Sequence, residues 1–288
     1  MSKRSLKKLV DGNFCRGWDD PRLFTLIALR RRGVPPAAIL SFINELGVTT
    51  AKTLIQISRF EQSIRRYLET RVPRLMLVLD PMPVVIEDIE TLDSKSLDLN
   101  IPFSTKNPEM GFHQFRLTKT VYIDRSDFRE VDSKGYFRLA PGKTVGLLHA
   151  PHPIKATSFS KDTDGKITEV RAVFDRESKK PKTYIQWVPD GSRKVEARIY
   201  DRLFKSDDPA AAEGGFLNDL NPNSETIYTD ALIEPGFDEV RRRAPWPEAA
   251  GEQDNKCGPE SVRFQAVRVG YFVSEPLKYL DYVYTIRY

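Results

Sequence analysis

Cysteine and histidine are scarce in this chain. Cys15 and Cys257 are the only cysteines, far apart and outside any metal-ligand spacing. Two lone thiols fit a reducing, cytoplasmic setting better than a disulfide scaffold. His113, His149 and His152 are the only histidines. His149-Ala-Pro-His152 has no third ligand of suitable type nearby, so no metal site is expected. No apolar run approaches the roughly 18–20 residues of a membrane helix. The basic start is not followed by the apolar stretch of a secretory signal. There is no Gly-x-Ser-x-Gly elbow, no Gly-rich phosphate loop after a strand and no internal repeat. The adjacent carboxylates Asp19-Asp20 and Asp207-Asp208 make poor acid–base pairs; helix capping accounts for the first and a loop for the second.

What is present is ordinary globular composition with an uneven charge. Of the 288 residues 40% are hydrophobic and 30% charged, enough for one large or two modest domains with a real core. The net charge of +5 is concentrated early: residues 1–74 hold 15 Lys/Arg against 6 Asp/Glu, a balance of +9. Such a segment can gather a polyanion such as RNA and steer its approach. Solvated helix faces rich in Lys and Arg would read the same way, so charge alone leaves both open.

The first quarter has helical periodicity. Asp19 or Asp20 is expected to cap a helix with Pro21 in its first turn, with Leu23, Leu26, Ile27 and Leu29 on its buried side and Gly33 at its end. A second helix is expected from Pro35-Pro36 to Gly47, with Ile39, Phe42, Ile43 and Leu46 at helical spacing. A third opens on the capping-box pattern Ser58-x-x-Glu61 and carries Phe60, Ile64 and Leu68 before Pro73. After Arg74 the period becomes alternating, which marks a domain boundary. Strands are expected at Leu75–Leu79, Val84–Ile86, Leu97–Ile101, Phe115–Ile123, Tyr136–Leu139, Thr144–Leu148 and Ile154–Ser160. Further strands fall at Thr168–Phe174, Thr183–Val188, Val195–Tyr200, Val262–Val273 and Tyr279–Arg287. Asp164-Gly165 signals a hairpin. About a dozen short strands punctuated by many of the 20 prolines imply β-barrels or sandwiches in place of a parallel α/β sheet. Lys205–Gly215 and Pro245–Pro259 read as loops. Trp18, Trp187 and Trp246 are assigned to packing or loop anchoring in preference to base stacking.

Several motifs, in order along the whole chain, then carry a resemblance. They are Gly17-Trp18-Asp19-Asp20-Pro21-Arg22, Ala28-Leu29-Arg30-Arg31-Arg32-Gly33, Pro73-Arg74 and Asn107-Pro108-Glu109-Met110-Gly111. They continue through Ile123-Asp124-Arg125-Ser126-Asp127-Phe128-Arg129, Tyr136-Phe137-Arg138-Leu139, Ile185-Gln186-Trp187-Val188, Tyr200-Asp201-Arg202-Leu203-Phe204 and Arg263-Phe264-Gln265. With these the chain resembles the C-terminal half of eukaryotic, fungal-type glutaminyl-tRNA synthetases, members of class I of the aminoacyl-tRNA synthetases. The eukaryotic glutamyl enzymes are the nearest competitor.

The resemblance implies a helical, tRNA-contacting subdomain over residues 1–74 and an anticodon-binding region of two β-barrels over 75–288. The distal barrel would occupy 115–195 and the proximal one 75–114 plus 196–288. Met1-Ser2-Lys3-Arg4 is similar to the mobile loop whose lysine sits against the ATP phosphates. Ser2, Lys3 and Arg4 are therefore a remnant of that loop, with Lys3 expected to lie in a frayed basic tail. Arg74, Arg138, Gln265 and Arg268 are implied as tRNA and anticodon contacts, and Arg30, Arg31 and Arg32 as contacts to the tRNA backbone. Unpaired bases expose their edges, and guanidinium and amide groups suit them. Gly146 and Leu148 stand where the bacterial pattern has basic residues, which puts contacts to the first anticodon base in doubt. The His-x-Gly-His signature of the class I nucleotide-binding α/β domain is missing, and no complete catalytic set is expected. This chain is thus expected to bind glutamine tRNA in the cytoplasm, without cofactor, membrane or DNA. ATP and Mg2+ would belong to the full-length enzyme. Two other readings stay open: a subunit of a split glutaminyl- or glutamyl-tRNA synthetase working with a separately encoded catalytic half, and a non-catalytic β-barrel interaction module.

Overall fold

The computed structural model describes residues 2–47, 50, 55–177, 180–244, 262–277 and 280–286. Two compact units emerge from its contacts. One comprises Met1–Pro73, Ala197–Ile227 and Arg243–Tyr288; the other comprises Arg74–Glu196 and Tyr228–Arg242. The expected loop Pro245–Pro259, with Trp246 and Cys257, lies outside the described residues.

In the first unit four helices span Lys3–Asp11, Leu26–Arg31, Pro36–Leu46 and Ile57–Leu68. Leu9, Cys15, Leu23, Ala28 and Leu203 form a buried cluster. The helix expected from Asp19-Asp20-Pro21 begins instead at Leu26. Thr25 is its cap: Oγ1 accepts from the Ala28 N–H at 3.1 Å and donates to the Trp18 carbonyl at 2.5 Å. Asp20 is fully buried and engaged elsewhere, so it cannot cap. Leu26 and Ile27, expected inside, are 73% and 53% exposed. The capping box at Ser58 is not used either, because the helix starts two residues earlier, at Ile57, with Gln56 at its cap and no side-chain cap bond. Its apolar stripe does form: Ile64 and Leu68 are buried, and Phe60 packs edge-on against Phe42 with centroids 5.0 Å apart.

Gly33 ends the Leu26–Arg31 helix in a Schellman motif. Its N–H donates to the Arg30 carbonyl at 2.9 Å, and the Val34 N–H donates to Leu29 at 3.0 Å. Its φ is +78°, and a Cβ there would stand 2.6 Å from Val273 Cβ. Gly33→Ala is therefore expected to cost about 1–2 kcal/mol from conformation alone, and more from the clash. Urea titration should show a larger loss than for Gly165→Ala, at a hairpin glycine with φ +79° and no atom within 4 Å. Later in this unit Arg263–Ala266, Gly270–Leu277 and Leu280–Ile286 pair antiparallel in sequence. The continuous strand expected over Val262–Val273 is thus a hairpin, with Arg268 in its turn at φ +64°.

The second unit contains a seven-stranded sheet that nearly closes on itself. Its order is Tyr184–Ile185, Thr144–Leu147, Ile154–Lys161, Ile167–Phe174, Pro81–Ile86, Thr120–Asp124 and Trp187–Pro189. The first and last strands are one stretch of chain, broken at Gln186. Tyr184–Ile185 runs parallel to Thr144–Leu147, and Trp187–Pro189 runs antiparallel to Thr120–Asp124. A sheet whose two edges share a strand has no free edge to manage. The sheet also takes in Pro81–Ile86, which lies ahead of the 115–195 stretch that the resemblance implied for the distal barrel. Strict alternation of burial along Pro81–Ile86 and Thr120–Asp124 fills the interior with Met82, Val84, Ile86, Val121 and Ile123. Trp187 is fully buried among them.

Asp164-Gly165 forms the expected hairpin, with Gly165 at φ +79° and its N–H bonded to Asp162 O at 3.1 Å. Phe115–Ile123 is two strands, Phe112–Arg116 and Thr120–Asp124, because the first half pairs with Asp98–Pro102, extended by Leu117 N–H to Leu97 O at 2.8 Å, while the second pairs with Pro81–Ile86. Tyr136–Leu139 is a turn region in place of a strand, its one ladder contact being the bridge from Leu139 to Phe128. Elements absent from the sequence-based expectation include the helix Lys3–Asp11, the short helix Ser94–Leu97, the strand Glu225–Ile233, whose alternation is weak, and the helix Gly236–Arg243, whose last turn is three arginines.

Candidate nucleic-acid interface

The basic N-terminal segment is ordered by local bonds. Ser2 caps the helix Lys3–Asp11, its hydroxyl accepting from the Ser5 N–H at 3.2 Å. Lys3 is therefore the first residue of a helix and not part of a frayed tail. Leu9 anchors the opposite face. Lys3 and Arg4 are exposed in the first turn, where the helix dipole is positive, no acid offsets it, and an anion is welcome.

The three arginines before Gly33 have three different fates. Arg30 is exposed on the helix surface. Arg31 pairs with Asp19, Nη1 to Oδ2 at 3.0 Å. Arg32 is only 7% exposed and lies over the Phe24 ring, 5.3 Å from its centroid. A buried guanidinium stacked on an aromatic ring is structural, so the surface of this triplet is carried by Arg30 and Arg31.

Asp20 organises the motif Gly17–Arg22. Its carboxylate takes Nε and Nη2 of Arg22 at 2.9 and 2.7 Å, and the backbone N–H groups of Arg16 and Arg22 at 3.0 Å each. Burial raises the Asp20 pKa, but these four donors outweigh it and hold the carboxyl below its ordinary value. Arg22 also donates to Ser224 Oγ and to the Phe14 carbonyl.

In the barrel unit, the motif Ile123–Arg129 exists to place Arg138. Asp124 Oδ1 accepts from the Ser126 N–H and hydroxyl, turning the chain so that Asp127 points inward. Arg138 Nη1 lies 2.9 Å from Asp127 Oδ1 and donates to the Ser126 carbonyl at 3.3 Å. The Arg138 side chain stays 37% exposed while Asp127 is buried. One edge of the guanidinium is thus anchored and the rest faces solvent, a pre-organised fork. Arg74 is held by its own backbone, N–H to Phe103 O at 2.7 Å, with Nη1 3.3 Å from Thr105 Oγ1. Gln265 and Arg268 belong to the other unit. The Gln265 backbone N–H donates to Pro73 O at 2.7 Å with its side chain half-buried, and Arg268 is exposed at the hairpin turn.

The positions that the resemblance leaves without cations are occupied structurally. Gly146 is buried, and a Cβ on it would stand 2.4 Å from the Tyr184 ring. Leu148 donates its N–H to Ile185 O at 3.0 Å and accepts from Trp187 Nε1 at 2.9 Å. Beside Arg138 the sequence reading passed over Phe137, which is 47% exposed, with Lys182 Nζ 5.3 Å and Lys143 Nζ 5.9 Å from its ring centroid. The aromatic-aromatic-basic run Tyr136-Phe137-Arg138 was the available signal, masked by its assignment to a strand. Tyr136 points inward, its phenol pushed up to about 12 by burial and by Asp127. Among the described residues no three or more His, Cys, Asp and Glu side chains gather as a metal site, and no helix is long and apolar enough to cross a membrane.

Comparison with known proteins matches this arrangement. Residues 72–175 match the anticodon-binding domain of the class I (E and Q) tRNA synthetases, and residues 184–245 match a second anticodon-binding model of the same class. Residues 1–70 match the catalytic domain of that class. The early helices therefore carry catalytic-domain sequence, a closer tie than the expected boundary at residue 74 implied. A glutamine--tRNA ligase protein of Hypocrea virens is 67% identical over 273 residues, covering 94% of this chain and 42% of its own length. The probable glutamine--tRNA ligase of Schizosaccharomyces pombe is 48% identical, over 94% of this chain and 34% of its own. The glutamine--tRNA ligase of Saccharomyces cerevisiae is 47% identical, over 94% and 36%. This chain thus spans well under half the length of these relatives. It belongs to the class I (E and Q) tRNA synthetases, with their anticodon-binding domains at residues 72–175 and 184–245.

Proposed function

We propose that this chain is the tRNA-gripping and anticodon-reading part of a cytoplasmic glutamine–tRNA ligase, binding glutamine tRNA without aminoacylating it alone. The observation that carries the reading is Arg138, anchored by buried Asp127 on a nearly closed barrel of anticodon-binding sequence. Arg74, Arg138, Gln265 and Arg268 contact the anticodon. Arg30 and Arg31 meet tRNA phosphates. In this reading the distal barrel spans about 115–195 together with the strand Pro81–Ile86 that its sheet takes in, and the proximal one the rest of 75–114 plus 196–288. Between unpaired bases and phosphates, the anchored fork of Arg138 favours base-edge contact, since fixed geometry contributes to discrimination and a floppy cation only to affinity.

In the complete enzyme ATP and Mg2+ supply the activation of glutamine. Ser2 spends its hydroxyl on the helix cap, whereas Lys3 and Arg4 stand exposed at the positive end of the helix. Those two cations fit phosphate charge and would neutralise it.

Filter binding of glutamine tRNA against the same tRNA with a changed anticodon tests the reading. Wild-type chain should prefer the native anticodon, and affinity should fall steeply with salt as counterions are released. Arg138→Ala should lose about 1–3 kcal/mol of that preference. Equal binding of both tRNAs by the wild-type chain overturns anticodon reading. Glutamine-dependent ATP–pyrophosphate exchange by the pure chain overturns its inactivity alone.

A further inference from the structure

We infer that Phe137, with Lys143 and Lys182 beside it, is a stacking platform for one unpaired RNA base; the inference rests on the tRNA-binding function proposed above. Phe137 sits in the irregular stretch between Arg129 and Thr144, with nearly half of its ring in water. Exposure alone is ordinary for a single apolar side chain; what sets Phe137 apart is the two lysines at its ring and the anchored Arg138 next in sequence.

The surroundings of the ring select the partner. Lys143 and Lys182 place their Nζ atoms over the ring, 5.9 and 5.3 Å from its centroid, so a half-exposed apolar surface carries two cations close by. Lys143 is tied to Asp132 and to the Tyr136 carbonyl, and so braces the turn. Among the described residues no carboxylate pairs with Lys182, whose charge serves an external anion. Tyr184, two residues further on, is 40% exposed. Its ring lies against Gly146, where any side chain would collide with it. Glycine at 146 therefore makes room for a second aromatic surface on the barrel wall.

A half-exposed aromatic ring with lysines over it, followed directly by the anchored Arg138, combines the parts that single-stranded RNA requires. It offers a π-surface for the base, a cation for the backbone and a fork for the base edge. The lysines at the ring disfavour an apolar protein partner, which would have to strip water from Lys182 without compensation.

The test is a binding cycle with the full chain and glutamine tRNA made abasic at one anticodon-loop position at a time. Phe137→Ala should weaken binding of intact tRNA about 5- to 150-fold, the range for loss of one stacked base, while Phe137→Tyr retains affinity. At a single abasic position the loss should vanish, because the ring then has no base to hold. Phe137→Ala binding intact tRNA within twofold of wild type overturns the inference, as does an equal loss with every abasic tRNA. If Arg138→Ala abolishes anticodon preference while Phe137→Ala changes nothing, stacking falls and tRNA reading stands. Wild-type chain that does not bind tRNA overturns both. Thermal denaturation of both Phe137 variants, expected near wild type for an exposed site, checks that folding is intact.

Discussion

Asp20→Ala is expected to remove about 3–5 kcal/mol of stability, the cost of leaving a buried ion unpaired. The carboxylate is fully buried, and its partner Arg22 keeps only 12% of its side-chain surface in solvent. Removing Asp20 strands the guanidinium and orphans the N–H groups of Arg16 and Arg22. A domain holds about 5–15 kcal/mol in total, so this one change consumes a large share of it. The urea midpoint should fall sharply.

The effect has a pH signature. The folded pKa of Asp20 lies below its unfolded value. Its contribution is therefore complete above the unfolded pKa, about 3.9, and disappears as the pH falls through the lower folded value. The gap between wild type and Asp20→Ala should be widest near neutrality and narrow below about pH 4. A gap that stays constant into acid would show that the carboxylate charge is not the source.

Trp187→Ala should cost about 3–5 kcal/mol and should also impair tRNA binding. The side chain is wholly buried and packs edge-on against Phe115 with centroids 5.6 Å apart. Its Nε1 satisfies the Leu148 carbonyl at 2.9 Å. Trp187 stands where the barrel closes, one residue after Gln186, and its strand pairs with Thr120–Asp124 while Ile185 pairs with Leu147. Loss of the ring opens a cavity at this seam and leaves a carbonyl unpaired. Trp187→Phe keeps much of the volume and loses the hydrogen bond, so it should cost about 1–3 kcal/mol. Urea unfolding and tRNA filter binding on the same preparations measure both effects. Equal losses for Ala and Phe would assign the whole effect to the hydrogen bond.

Much of this architecture was legible in advance, where local pattern and tertiary demand agree. Alternation located most barrel strands because one face of each is buried in the same interior, and Asp164-Gly165 named its hairpin because the turn requires a positive φ. Gly33 declared a helix end for the same reason. Misreadings arose where a residue had two possible uses. Asp20 is as good a cap as a buried ligand, and only the presence of Arg22, Arg16 N–H and Ser224 in space decides between them. Leu26 and Ile27 have helical spacing yet face solvent.

The candidate site divides the same way. Residue order and motif identified the synthetase family and pointed to Arg74 and Arg138, because guanidinium chemistry is a property of the residue. Pairing is a property of distance. That Arg32 turns inward onto Phe24, that Asp127 anchors Arg138, and that Gly146 makes room for Tyr184 depend on residues brought together only by folding. The sequence by itself determined the helical and alternating segments, the basic N-terminal quarter and the family, since these rest on periodicity, charge and order along the chain. Tertiary structure alone decided that Tyr184–Pro189 closes the barrel with both of its neighbours. It likewise decided which arginines are spent on the fold, and that Phe137 stands half in water between two lysines. Ring closure and ion pairing depend on separations in space that no local pattern records.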